Sequence, residues 1–164
     1  MARKARKVAP KRARKAAAKP AARRAAGARP APIRVRQVSS ERVSEPAGPT
    51  YSNCLVAGNM VFLAGMTAGD GKGGIAGNGT PHGQARQCLL KIRRMLKAAG
   101  CSMKDVVKLT VYVTDIGIRP DVTRARSEFF SPPMPCSTLV EVKGLADPRF
   151  VIEIDATAVK TGRA

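Results

Sequence analysis

Apolar and polar positions alternate along residues 51–159 with periods that separate strands from helices. Residues 51–56 and 60–64 are short apolar runs separated by Ala57-Gly58-Asn59, a β-hairpin pattern. Over residues 81–99, Ala85, Cys88, Leu89, Ile92, Met95, Leu96 and Ala99 recur at three- and four-residue steps. That spacing makes one continuous apolar stripe and predicts an amphipathic helix. Thr80 suits its N-cap, Pro81 its first turn and Gly100 its C-terminal stop. Its basic residues Arg86, Arg93, Arg94 and Lys97 are expected to face outward. Residues 106–114 alternate as a strand, with Val107, Leu109, Val111 and Val113 on one face. Residues 121–130 read as a second helix with Val122, Ala125, Phe129 and Phe130 inward. Pro132, Pro133 and Pro135 then enforce an extended linker. Two further strands are predicted at 137–142 and 150–159. The order ββαβαββ predicts an α+β domain, one mixed sheet with two helices on one face. The opposite face is expected to stay apolar and to need a partner, which points to a homo-oligomer.

Charge divides the chain in two. The 164 residues carry a formal net charge of +19. Residues 1–40 contain 14 basic and no acidic side chains, whereas residues 41–164 contain 16 basic and 11 acidic ones. The first segment is Ala, Lys, Arg and Pro with almost nothing else, and no aromatic occurs before Tyr51. Such a sequence buries too little apolar surface to offset its ordering entropy. Residues 1–45 are therefore expected to be a disordered basic tail, 46–160 the folded domain and 161–164 a C-terminal tail. A polycation of this kind, with Arg3, Lys4, Arg6, Lys7, Lys11, Arg12, Arg14 and Lys15 at its front, suits non-specific contact with nucleic acid through phosphate neutralisation. It lacks aromatics to stack on bases and a folded element to read a groove. A targeting presequence, a solvated extension without a partner and an upstream start site are alternatives.

Several chemistries are disfavoured. No apolar run approaches the roughly 18–20 residues of a membrane-spanning helix, and no apolar stretch follows the basic N-terminus as in a secretory signal. A cytoplasmic location is expected. Cys54, Cys88, Cys101 and Cys136 form no close pair, and His82 is the sole histidine, so no metal is expected. Gly69, Gly71 and Gly74 spell G-x-G-x-x-G, but the helix opens several residues later and positions 89–94 hold no acid. A dinucleotide site needs both, so residues 69–79, with six glycines in eleven, read as a flexible connection and no cofactor is expected.

Residues 46–159 resemble the Rid (RidA/YjgF/L-PSP) family of reactive-intermediate deaminases. Gly48-Pro49-Thr50-Tyr51-Ser52 is similar to the family's opening G-P-Y-S. Val61-Phe62-Leu63-Ala64-Gly65 is similar to V-F-x-S-G, and Gln84-Ala85-Arg86-Gln87 to Q-x-R-Q. The segment from Asp105 to Asp115 resembles D-V-V-K-x-T-V-x-L-T-D. The block PCSTLVEVKGLADPRFVIEI at 135–154 has the spacing of P-x-R-x-x-V-x-V-x-x-L…I-E-I. The resemblance implies a chorismate-mutase-like homotrimer with small-molecule clefts between subunits. The implied activity is hydrolysis of enamines and imines such as 2-aminoacrylate to 2-keto acids and ammonia. Mapped residue by residue, the water-positioning carboxylate is Glu153 and the cleft tyrosine Tyr51. Gly65 ends the second strand and lines the pocket. Thr123 stands where an Asn is frequent, and Leu139 where a Cys is frequent. The family's signature arginine, which holds the substrate carboxylate, falls on Ser137. Serine offers one neutral hydrogen bond where a guanidinium offers a charge-assisted bidentate pair. Efficient deamination of 2-aminoacrylate is therefore not expected unless another cation serves, with Arg126, Lys143 and Arg149 as candidates. If one does, an active 2-iminobutanoate/2-iminopropanoate deaminase is the alternative. Cys54 and Cys136 flank the implied cleft, and Glu141 is expected to be exposed. Nuclease chemistry, a third reading, lacks a suitable proton shuttle, since His82 lies in the loop-to-helix region.

Overall fold

The computed structural model describes residues 32–161. The tail cations from Arg3 to Lys15 and the last three residues of the C-terminal tail lie outside the described residues. Six strands and two α-helices are formed. They are β1 (Val35–Gln37), β2 (Cys54–Ala57), β3 (Met60–Thr67), α1 (Pro81–Ala98), β4 (Val106–Val113), α2 (Arg119–Ser127), β5 (Cys136–Glu141) and β6 (Ile152–Val159). All strands join one sheet in the order β1-β2-β3-β6-β4-β5. β4 and β5 are parallel, as the α2 crossover between them demands, and the other pairs are antiparallel. The last strand thus lies at the centre, between β3 and β4, which brings Glu153 to the middle of the sheet.

Helix α1 packs on β3 and β6, and α2 packs against α1. The predicted stripe is the packed one: Ala85, Cys88, Leu89, Ile92, Met95 and Leu96 are fully buried. They meet Val61, Leu63, Leu109, Val111, Ile152, Ile154 and Ala156 from the sheet. Each Val, Leu, Ile or Met side chain among them contributes about 1.5–3 kcal/mol on burial. Thr80 caps α1 by accepting from the Gly83 amide, and Gly100 reverses the chain at φ +77° with its amide on the Lys97 carbonyl. Three cations of the outward helix face are engaged: Arg86 pairs with Glu128, Arg93 lies 5.4 Å from the Phe129 ring centroid, and Arg94 donates to the Arg42 carbonyl at 3.3 Å.

Four expectations change. Residues 32–45, assigned to the tail by composition, belong to the fold. β1 pairs with β2, the Val38 amide donates to the Cys54 carbonyl, and Val38 and Val43 are buried. Ile33, Val35 and Val38 are too few and too irregularly spaced to signal a strand among the arginines. Val107 is 44% exposed rather than inward, because the register with β6 slips between Val106 and Lys108 and Val106 takes the buried position. The glycine-rich loop is pinned rather than loose. Asp70 accepts from the Lys72 and Gly74 amides, and Arg149 donates to the Gly73 carbonyl. Gly77 holds φ +84° against the backbone of Gly83, where any side chain would collide. Finally, the open sheet face is mixed rather than apolar. Leu55, Phe62, Val107 and Val140 are exposed there, beside Asp155, Tyr112 and Lys108.

Candidate functional site

The register of the central strands decides which side chains can meet. In β4, Leu109 pairs with Ser137 and Val111 with Leu139 of β5, so both β5 residues share the helix-side face. Tyr112 pairs with Glu153 of β6, and Tyr112 alternates onto the other face. Ser137 and Leu139 therefore lie on one face of the sheet and Glu153 on the other.

The first two line a cavity of about 450 Å³ between α2 and β5. Thr123, Ser137 and Leu139, distant in sequence, all open onto it. Arg119 and Arg126 open onto the same space, with Ile116 and Val122 supplying apolar wall. Glu141 fixes its edge by accepting from the Ile116 amide at 2.9 Å, a role beyond that of an exposed strand residue. Arg126 is half-buried, its Nε has no hydrogen-bond partner among the described residues, and burial pushes its pKa down. Of the other candidate cations, Arg149 is held by Asp147 through Nε and Nη2 at 2.6–3.2 Å, which draws the Asp147 carboxyl down to about 2. Lys143 is exposed beyond the end of β5 and does not line the cavity.

Glu153 lies on the other face. A methyl group at Gly65 would overlap the Glu153 carboxylate, so a side chain there would push that carboxylate from its place. No described side chain hydrogen-bonds to that carboxylate. Burial first, and then the neighbouring charge of Asp155, raises its pKa above the ordinary Glu value. Tyr51 is 58% exposed and precedes β2, near the point where the Ala64 amide donates to the Asn53 carbonyl. Two polar neighbours escaped the sequence pattern: Asp155 accepts from the Thr110 amide and the Tyr112 hydroxyl, both at 3.2 Å. Asp155 could have been signalled only by alternation along β6, which turns it to the same face as Glu153.

Gln84 was also missed. It is 1% exposed, donates to the Arg149 carbonyl at 3.0 Å and accepts from the Val151 amide at 3.1 Å. It thereby fastens the start of β6, and with it Glu153, to α1. The thiols supply no obvious nucleophile: Cys54 and Cys88 are buried, and burial pushes Cys88 up to about 12. Cys136 is exposed. His82 contacts Glu128 through Nε2 at 2.8 Å, on the outer side of α1. Among the described residues no cluster of His, Cys, Asp and Glu could hold a metal, and no helix is long and apolar enough to cross a membrane.

A family model described as endoribonuclease L-PSP matches residues 42–160. A RutC family protein of Pyrococcus horikoshii is 39% identical over 124 residues, covering 75% of this chain and 96% of its own. A 2-iminobutanoate/2-iminopropanoate deaminase of Homo sapiens is 29% identical over 125 residues, covering 76% of this chain and 90% of its own. A crystal structure of a protein of unknown function from Pseudomonas aeruginosa superposes with a TM-score of 0.71 at 35% identity, covering 79% of this chain and 94% of the other.

Proposed function

Because the chain belongs to the Rid (RidA/YjgF/L-PSP) family, we propose that it is a homotrimer whose intersubunit clefts take small imine, enamine or carbonyl metabolites. The observation that carries this reading is the division of the site residues. Ser137 and Glu153 face opposite sides of one sheet, so one chain cannot present both to a single small molecule. A cleft closed by a second copy can, with Thr123, Ser137 and Leu139 from one subunit and Tyr51, Gly65 and Glu153 from its neighbour. The exposed Leu55, Phe62, Val107 and Val140 are apolar surface that such an assembly would cover.

In that cleft the chemistry is addition of water to a C=N carbon, followed by loss of ammonia to leave a 2-keto acid. Glu153 positions the water and takes up its proton, a task that its raised pKa favours. Gly65 leaves room for the carboxylate to do so, and Tyr51 orients the substrate from the rim. Ser137 is the weak point. Loss of an anchoring charge pair costs roughly 2–5 kcal/mol, so 2-aminoacrylate is turned over more slowly than by relatives carrying arginine there. The test is the rate of keto-acid formation from freshly generated 2-aminoacrylate by the wild type and by Ser137→Arg. A gain of tenfold or more is expected in the variant. A wild type already as fast as the human deaminase would overturn the role given to Ser137.

A second reading concerns the tail, whose 12 uncompensated cations in residues 1–31 favour non-specific contact with nucleic acid. It is independent of the cleft and adds a partner rather than a reaction.

A further inference from the structure

We propose that Arg126, supported at the rim by Arg119, is the anchor for the ligand's carboxylate in this chain, replacing from helix α2 the cation that strand β5 lacks. The inference rests on the cleft proposed above and names the group that gives it anion selectivity. Five observations carry it.

Arg119, Thr123 and Arg126 fall at offsets of four and seven along α2, so they share one side of the helix, and all three open onto the cavity beside Ser137. No described carboxylate pairs with either arginine, whereas the neighbouring Arg124 is paired with Asp121 at 2.9 Å. Both arginines that line the cavity thus lack a carboxylate partner among the described residues. The Nε of Arg126 is buried without a hydrogen-bond partner among the described residues, and a buried donor left unpaired is retained at a cost in stability unless something binds it. The small, neutral Ser137 leaves the space in front of Arg126 free, where an arginine at 137 would compete with it for the same anion. The remaining candidates are spent or distant: Arg149 is tied to Asp147, and Lys143 stands outside the cavity.

Anchoring from the helix rather than the strand also accounts for a cleft that binds while reacting slowly. The carboxylate is held at a different point, so the imine carbon is offset from the water that Glu153 positions, and small misplacements cost rate steeply.

The experiment is a calorimetric titration of the intact protein with 2-oxobutanoate, and with 2-butanone as its neutral counterpart. Arg126→Met keeps the length of the side chain and removes the charge. It should weaken 2-oxobutanoate binding by about 10- to 100-fold, the loss of one charge-assisted contact, and leave 2-butanone unchanged. Its unfolding midpoint should be equal to or above that of the wild type, because an unpaired buried donor is gone; a structural arginine would lower it. Ser137→Arg introduced into Arg126→Met should restore 2-oxobutanoate binding by returning the cation to β5. An affinity within threefold of wild type in Arg126→Met, or no wild-type binding at all, overturns the inference. If instead Arg126-dependent binding is found but imine hydrolysis runs at the buffer rate, the inference stands and the proposed reaction falls.

Discussion

Replacing Gln84 with methionine separates its hydrogen bonds from its volume. Both side chains are unbranched and of similar length, so the packing between α1 and β6 is kept. What is lost is the donor to the Arg149 carbonyl at 3.0 Å and the acceptor for the Val151 amide at 3.1 Å. The contact with Gly79 at 3.4 Å is too long to count for much. Two part-buried backbone groups are left without partners, at about 1–3 kcal/mol each, so about 2–6 kcal/mol of stability should go. A urea dependence of about 2 kcal/mol per molar, ordinary for a domain of this size, turns that into a midpoint lowered by about 1–3 M. Urea titrations of both proteins at one fixed concentration provide the assay, since unfolding of an assembly depends on concentration. Imine hydrolysis should fall as well, because Val151 lies two residues ahead of Glu153. A midpoint shift below about 0.3 M with an unchanged slope would refute the view that this side chain fastens β6.

Glu153→Gln should be more stable than the wild type at pH 7 but not at pH 4. The raised folded-state pKa means that the native chain holds its proton longer than the unfolded one, so wild-type stability falls as pH rises from the ordinary Glu value through the raised one. A gain that is independent of pH, read from urea midpoints, would contradict this, and the variant should lose imine hydrolysis throughout. Val38→Ser should cost about 1–3 kcal/mol in the same assay, since Val38 is 6% exposed; a neutral effect would mean that β1 adds nothing to the fold. DNA binding by the full chain should be tighter and steeper in salt than binding by a chain beginning at Pro32, which lacks 12 of the cations. Equal affinities and equal salt slopes in a filter-binding series would remove the tail as a nucleic-acid contact.

The helices and the central strands were legible because their apolar periodicity is long and regular: the stripe from Ala85 to Ala99 could hardly fold otherwise. What escaped was decided by local departures from period. A single slipped register exchanged Val106 for Val107, and three residues of β1 could not announce themselves among arginines. The site was legible only by resemblance, since Glu153 and Ser137 look like ordinary strand positions. That they face apart follows from pairing across three strands, which no single stretch of sequence encodes. Arg126 was one of three equivalent candidates until the fold tied Arg149 to Asp147 and left Lys143 outside the cavity.

The opposed facing of Ser137 and Glu153 has a genetic counterpart. If every cleft borrows one half from each of two copies, a subunit altered at Arg126 and a subunit altered at Glu153 are each inactive alone yet complementary together. Random co-assembly from equal amounts would leave about one cleft in four with both halves intact, as expected for head-to-tail contacts in a closed ring. Two defective alleles in one cell could then sustain the function that neither supports, and a loss-of-function allele at this locus would be only partly dominant over the normal one.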